Sequence, residues 1–235
     1  SDAQASMQEY REYIESWVHE IKTPLTAAKL TCRHLEPDSR RKFSAELAQI
    51  EAHVERALYY ARVKSPEQDC IIRQTALADI VSQAVGNHRT LLIQSQMKIE
   101  TGDLDFTVYT DRKWAVFMLG QLLQNASRYR NNDSPSIRLT ATRCGRQVRL
   151  TVSDNGIGIP AHELPRVFDR GFTGSNGRTR GGSTGMGLYL CRKLAALLEI
   201  DLQISSEEQK GTAVTLTFPA RQAAETLQDC KTNPY

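Results

Sequence analysis

Two adjacent residues near the start of the chain, His19 and Glu20, form the first set that could do chemistry. A solvent-facing imidazole can act as a nucleophile, and a neighbouring carboxylate can accept its proton. Pro24 removes the helical hydrogen bond to the carbonyl of Glu20, so we expect the helix to bend or loosen there. Taken alone, a His-Glu pair on a helix is more often an ordinary surface pair.

A second set lies near the end of a predicted helix at 111–130. Gln121, Asn125 and Arg128 share one face at spacings of i, i+4 and i+7. The amide oxygen of Asn125 is a ligand type that suits Mg²⁺, and Arg128 could contact phosphate. A polar helix face that ends in an ordinary basic residue explains the same pattern.

Two glycine-rich stretches complete the candidates. Asp154 and the glycines at 156 and 158 follow a predicted strand, where the carboxylate could accept a hydrogen bond from an exocyclic amine. The stretch at 181–188 opens a predicted helix, where free backbone amides could bind an anion. Turns of the first kind are common, and a lone glycine-rich loop is weak evidence.

The segment at 173–183, which lies between these stretches, is poor in apolar residues and rich in glycine. We expect it to be mobile, with Arg178 and Arg180 able to close over phosphates. A disordered loop with incidental arginines is the alternative.

Two predicted helices must position the histidine. Their apolar residues recur at alternating steps of four and three: Ile14, Val18, Ile21, Leu25, Ala28, Cys32 and Leu35, then Phe43, Leu47, Ile50, Val54, Ala57 and Ala61. With a turn at 36–39, this heptad seam predicts an antiparallel hairpin. Because one hairpin buries too little surface, we expect two copies to form a four-helix bundle. Docking of the hairpin on the rest of its own chain stays open.

The remainder predicts a two-layer α/β sandwich, so the whole chain is α+β. Helices are predicted at 77–94, 111–130 and 187–198, and strands at 137–142, 148–153, 202–205 and 213–218. Ser65-Pro66 is the predicted hinge. The predicted domains are therefore 1–65 and 66–220, followed by a flexible tail at 221–235.

Composition excludes several classes of protein. The net charge of +3 gives no reason to expect nucleic acid as a partner, and the five cysteines are scattered singly, without metal-ligand spacing. No run of about 18 apolar residues is present, so we expect this sequence not to cross a bilayer itself. Any membrane region is expected N-terminal to it.

In order and spacing, these stretches resemble the sensor histidine kinases of two-component systems. The H box falls at His19, the N box ends at Asn125, and the G1, F and G2 boxes fall at 154–158, 168–172 and 185–187. The resemblance covers residues 5 to 220. The stretches at 17–24 and 183–190 resemble the bacitracin-sensing, intramembrane-sensing kinases.

The resemblance implies a dimerisation and phosphotransfer hairpin, followed by an ATP-binding domain of the Bergerat or GHKL type. By match, His19 is the phosphoacceptor, Glu20 is its acid–base partner, and Thr23 orients water when such kinases dephosphorylate their regulator.

The same resemblance implies the nucleotide site. Asn125 would hold Mg²⁺, Arg128 would face the phosphates, Tyr129 would lie against the adenine, and Asp154 would bind the adenine amino group. The remaining positions assigned to the nucleotide pocket are Gln121, Gly156, Gly158, Gly185, Gly187 and Leu188.

The implied function is ATP-dependent phosphorylation of His19 and transfer of the phosphoryl group to an aspartate on a response regulator receiver domain, in cell-envelope or antimicrobial-peptide stress. The implied partners are a second copy, that regulator and a membrane transporter, at the cytoplasmic face of the bacterial membrane. Alternatives are an ATPase or chaperone with a Bergerat pocket, or a non-catalytic scaffold.

Two residues depart from the family pattern. Gln121 stands where Asn or an acid is common, and a neutral amide cannot take a proton, so we expect Glu20 to carry the acid–base role alone. Arg128 stands where Lys is commoner and keeps the charge in a forked geometry.

Overall fold

The computed structural model describes residues 2–63, 70–131, 133–180 and 184–219. The chain divides into two compact units, Ser1–Asp69 and Cys70–Tyr235, and each is described by itself. The predicted hinge at Ser65-Pro66 and the predicted tail at 221–235 lie outside the described residues.

The first unit is a helical hairpin, as the heptad seam predicts. Helix α1 spans Asp2–Thr31, a 3₁₀ turn spans Cys32–His34, and α2 spans Pro37–Val63. Val18 packs with Val54 and Leu58, and Ile14 and Ile21 pack against that cluster. Leu58 is buried although the predicted seam passed through Ala57, which is half-buried.

Helix α1 runs through Pro24 without interruption to Thr31. Two threonine hydroxyls donate to carbonyls one turn earlier, from Thr23 to His19 at 3.3 Å and from Thr26 to Lys22 at 2.8 Å. Such side-chain bonds compete with the helical ladder and are typical of places where helices bend.

The second unit contains a five-stranded sheet in the order β2-β4-β5-β7-β6 and a two-stranded sheet of β1 and β3. The strands are β1 (Arg73–Ala76), β2 (Lys98–Thr101), β3 (Thr107–Thr110), β4 (Ser136–Cys144), β5 (Gln147–Asp154), β6 (Asp201–Glu207) and β7 (Gly211–Phe218). Only the β2–β4 pair is parallel among the described ladders.

The helices of this unit are α3 (Leu77–Asn87), α4 (Arg89–Gln94), α5 (Arg112–Arg128), α6 (Gly174–Arg180) and α7 (Gly187–Leu197). Alternate residues of the central strands, such as Leu139, Leu150 and Leu216, are buried on one face of the sheet. The buried faces of α3, α5 and α7 supply the other half of this core. The predicted α+β class, a hairpin followed by an α/β sandwich, is confirmed.

Three details differ from the sequence predictions. The helix predicted at 77–94 is divided at His88, whose backbone (φ −106°, ψ 11°) leaves the helical region. The short strands β1, β2 and β3 lack a long alternating pattern, so the sequence did not reveal them. Helix α6 occupies part of the segment expected to be mobile, for which the sequence predicted no helix, and the side chains of Arg178 and Arg180 lie outside the described residues.

Candidate functional site

His19 is exposed on α1, directly beside the buried Val18. Val18 and Leu25 face the seam with α2. His19, the residue after Val18, therefore lies on a different face of the helix and points outward. The imidazole makes no hydrogen bond to any residue that the structure describes, so its ring nitrogens are open to an incoming group. Thr23 is also exposed, one turn further along.

Glu20 is exposed as well, but its carboxylate has a different partner from the predicted one. Ser16 donates its hydroxyl to Oε1 of Glu20 at 3.5 Å. A hydrogen bond from the ring of His19 to Glu20 therefore requires Glu20 to leave Ser16 for another rotamer, a small change for an exposed side chain.

In the second unit, α5 carries the residues of the predicted N box. Asp111 begins this helix as its N-cap and accepts the N–H of Trp114 at 3.2 Å. Asn125 is half-buried near the other end, as are Arg128 and Tyr129. A firmly capped and buried helix gives these side chains a rigid base.

Gln121 is buried, with 4 % of its surface exposed. A Cβ at Gly187 would lie 2.8 Å from its Oε1, so the amide rests against the first residue of α7. The N box and the G2 box are thus in direct contact, and glycine at 187 makes that contact possible.

Asp154 ends β5 and is partly buried. Its Oδ1 accepts the amide of Gly156 at 2.8 Å. Burial raises the pKa of this carboxyl above its ordinary value, while hydrogen bonds from the backbones of Gly156 and Thr212 oppose that rise. An acceptor in a partly dry site is well suited to a donor group on a ligand.

The G1 box is joined to the N box by its backbone. Ile157 donates to the carbonyl of Tyr129 at 3.0 Å. A Cβ at Gly156 would lie 2.5 Å from that same oxygen, which leaves no space for a side chain. On the far side, Gln209 donates to the carbonyl of Ile157 at 2.8 Å.

Gly158 and Gly185 both have positive φ, at 67° and 63°. A Cβ at Gly158 would lie 2.0 Å from the carbonyl oxygen of Glu207, so the loop is pressed against the β6–β7 turn. Gly171 donates to the carbonyl of Gly185 at 3.0 Å, which joins the F box to the G2 box. Leu188, in the first turn of α7, is half-buried.

Three further residues shape this site and were not found from the sequence. Asn155 accepts the amide of Ser136 at 2.7 Å and donates to the carbonyl of Ser134 at 3.0 Å. Ser206 accepts the amide of Ile159 at 2.9 Å. Thr212 pairs with Asp154 across β5 and β7. Only Thr212 had a signal in the sequence, because it follows Gly211 directly before a predicted strand.

Within the described residues, no three His, Cys, Asp or Glu side chains cluster as a metal site. None of the described helices is long and apolar enough to cross a membrane.

Comparison with known proteins identifies the class of this unit. Residues 110–222 match the family of histidine kinase-, DNA gyrase B- and HSP90-like ATPases. The catalytic domain of histidine kinase ThkA superposes with a TM-score of 0.55 at 22 % identity, covering 64 % of this chain and 96 % of that one. The Acinetobacter baumannii histidine kinase AdeS gives a TM-score of 0.60 at 18 % identity, covering 87 % and 98 %. The second unit thus has the fold of a histidine kinase ATPase domain, which implies ATP binding.

Sequence relatives define the family more closely. The sensor histidine kinase YxdK and the sensor protein BceS, both of Bacillus subtilis (strain 168), are 33 % identical over 208 and 217 residues, or 88 % and 92 % of this chain. Sensor protein kinase GraS of Staphylococcus aureus (strain MRSA252) is 34 % identical over 223 residues. The chain spans 64 % of the length of YxdK and of BceS. It belongs to the sensor histidine kinases, and these relatives support the resemblance to the bacitracin-sensing group.

Proposed function

We propose that this chain phosphorylates its own His19 with ATP and then passes the phosphoryl group to an aspartate of a response regulator. The proposal rests on one observation. The imidazole of His19 is exposed beside the buried seam of the hairpin, in a chain that also carries a histidine kinase-type ATPase domain. In a stand-alone ATPase or chaperone, the exposed histidine of the hairpin would have no function.

The transfer uses a lone pair of the neutral imidazole. A ring nitrogen of His19 attacks the γ-phosphorus of ATP, the bond to the bridging oxygen breaks, and ADP leaves. As positive charge develops on the ring, Glu20 accepts the proton from the other nitrogen after leaving Ser16. Gln121 is a buried neutral amide and takes no proton in this scheme.

The nucleotide is proposed to bind where the N, G1 and G2 boxes meet. Asp154 accepts a hydrogen bond from the adenine amino group, Tyr129 lies against the base, and Arg128 faces the phosphates. Gly156, Gly158, Gly185, Gly187 and Leu188 form the walls. The support is geometric, because the backbones of Ile157 and Tyr129 are hydrogen-bonded and the side chain of Gln121 lies against Gly187.

Mg²⁺ is proposed to sit at Asn125. The amide oxygen is a hard neutral ligand, and a single protein ligand suits Mg²⁺ that takes its other oxygens from phosphate and water. When bound, the ion offsets negative charge on the phosphates during transfer.

The hairpin is proposed to dimerise into a four-helix bundle. Phe43 and Ile50 belong to the predicted seam of α2, yet they are 56 % and 47 % exposed in the single chain. Tyr10 and Trp17 are exposed apolar side chains of α1. A second copy would cover this surface.

The regulator, the stress signal and the setting are proposed from the family resemblance. The regulator's receiver domain would dock beside His19, and Thr23 would orient water during dephosphorylation. Cell-envelope or antimicrobial-peptide stress, a transporter partner and a place at the cytoplasmic face of the membrane complete the proposal.

The test is labelling with γ-radiolabelled ATP. The wild-type chain should acquire an acid-labile label, and His19→Gln should lose it while still binding a non-hydrolysable ATP analogue. His34→Gln, which changes another exposed histidine of the hairpin, is the matched control and should label normally. Undiminished acid-labile label in His19→Gln would refute the assignment.

A further inference from the structure

Glu163 is one of two buried carboxylates among the residues that the structure describes, with 9 % of its surface exposed, and the other is Asp111. The burial of Asp111 has a clear reason, because it caps α5. Glu163 lies between the G1 and F boxes and has no role in the function proposed above. Since a buried carboxylate is costly unless it is hydrogen-bonded, its partners indicate its purpose.

Both oxygens of Glu163 lie against the backbone at the start of α6. Ser175 donates its amide to Oε1 at 2.8 Å. A Cβ at Gly174 would come within 2.5 Å of Oε2, and Gly174 has a φ of 61°. Glycine at 174 therefore satisfies two needs at once, a left-handed backbone and close approach to the carboxylate.

Glu163 is itself fixed by a turn. Its amide donates to the carbonyl of Pro160 at 2.9 Å, and its own carbonyl accepts the amide of Arg166 at 2.9 Å. Pro160 closely follows the G1 box, so a short rigid turn connects the loop of Asp154 to the start of α6.

A cavity of about 420 Å³ lies beside this contact. Its lining includes Glu163, Arg166, Asp169 and Gly174, and Phe172 is the one large apolar side chain among the lining residues, all of which are described. Hydrophobic packing can contribute little there. The hydrogen bond from Ser175 to Glu163 therefore restrains the start of α6 at a place where apolar contacts are few.

We propose that Glu163 is a positioning residue for nucleotide binding, whose carboxylate fixes the start of α6 between the F and G2 boxes before ATP arrives. The inference rests on the proposed function only for ATP binding in this unit. Without the anchor, the segment must be ordered when the nucleotide binds, so affinity falls. The maximal rate of transfer should stay, because Glu163 acts through α6.

The first experiment measures the initial rate of self-phosphorylation against ATP concentration. Glu163→Ala should raise the half-saturating ATP concentration about tenfold, the size expected for loss of a hydrogen bond to a charged group, while the maximal rate changes less than about twofold. Glu163→Gln keeps an acceptor for Ser175 and should recover most of the affinity. Asp79→Ala, which removes an exposed carboxylate of α3, is the control and should match the wild type.

The second experiment tests the contact itself. Gly174→Ala should weaken ATP binding less in the Glu163→Ala background, because the oxygen that its methyl group meets is absent there. If Glu163→Ala does not fold, Glu163→Asp serves in its place. Its side chain is one methylene shorter, so both carboxylate oxygens move away from Gly174 and Ser175. Equal effects in both backgrounds, unchanged half-saturation, or a fall in maximal rate alone would overturn the proposal.

Failure of the proposed function gives a different result. Affinity for a non-hydrolysable ATP analogue can be measured in the His19→Gln background, where no phosphorylation occurs. A loss of affinity on Glu163→Ala there supports the anchor even if the wild-type chain never labels His19. Unchanged affinity there counts against the anchor alone.

Discussion

The carbonyl of Tyr129 accepts the amide of Ile157 at 3.0 Å and would lie 2.5 Å from a Cβ at Gly156. One backbone oxygen therefore fixes the end of α5 against the loop that follows β5. The residues proposed for magnesium and for adenine lie on either side of this contact, so its geometry sets their separation.

Gly156→Ala should damage both folding and nucleotide binding. The new methyl group must displace the Tyr129 carbonyl, which we expect to lower the free energy of unfolding by about 1–3 kcal/mol. Affinity for an ATP analogue should fall with it. The measurements are chemical denaturation and equilibrium binding.

Gly86→Ala is the matched control for that change. Nothing lies within 4 Å of a Cβ at Gly86, which is in α3. Alanine should raise the free energy of unfolding by about 0.5–1 kcal/mol, as expected for glycine replaced inside a helix. An equal loss of stability in both variants would contradict the role given to the Tyr129 carbonyl.

Asp154→Asn should separate stability from function. Burial raises the pKa of Asp154, so ionising this carboxyl costs more in the folded chain than in the unfolded chain. The contribution of Asp154 to stability therefore falls as the pH rises from 3.8, the ordinary pKa of the carboxyl, through its raised pKa in the folded chain. Asparagine is neutral throughout. The variant should therefore be at least as stable as the wild type at pH 7, with the difference shrinking below pH 4.

Thermal unfolding across this pH range gives the comparison. Asp154→Asn should bind an adenine nucleotide weakly at pH 7, because the amide no longer offers a charged acceptor. A variant that is less stable than the wild type at pH 7, but not below pH 4, would reverse the assigned direction of the pKa shift.

Ser206→Ala should loosen the chain that directly follows the G1 box, although Ser206 is far from this box in the sequence. The hydroxyl of Ser206 accepts the amide of Ile159 at 2.9 Å and donates to the carbonyl of Gly211 at 2.7 Å. We expect a loss of about 1–2 kcal/mol in unfolding free energy, and weaker ATP binding. Ser205→Ala, on the exposed face of the same strand, should change neither. Similar losses in the two variants would show that the strand is sensitive to any change there.

Ile50→Glu should prevent the proposed dimer. A charge on the exposed seam of α2 cannot be buried against a second copy without a partner. Light scattering should show a monomer, or a dimer whose dissociation constant is raised about tenfold or more, which corresponds to a cost of at least about 1.4 kcal/mol. Leu30→Glu changes an equally exposed residue that is outside the seam and should leave the dimer intact. An unchanged dimer in Ile50→Glu would move the interface elsewhere.

The sequence predicted the elements whose signals are local. The heptad steps around Val18 and Val54 predicted the hairpin, because a helix repeats over short distances. The alternation in β4 and β5 predicted the central strands for the same reason. The residue assignments at His19, Asn125 and Asp154 came from motif order and stay predictions.

Contacts between distant residues could not be predicted. Ser206 has no local signature, and its value depends on Ile159 and Gly211 meeting it in space. The division of α3 from α4 depends on His88, whose ring lies against Gly120 and accepts or donates a hydrogen bond at Gln124. These features arise only once the layers are assembled.

The buried residues of α2, namely Val54, Leu58 and Ala61, all lie in its C-terminal half. The half that begins at Pro37 has none, and it carries the exposed Phe43 and Ile50. If a second copy supplies the missing cover, part of the hairpin's folding free energy is association free energy. Its melting temperature should then rise with protein concentration, and dilution should unfold the end of the hairpin nearest the turn before the opposite end, where Leu58 and Ala61 are buried.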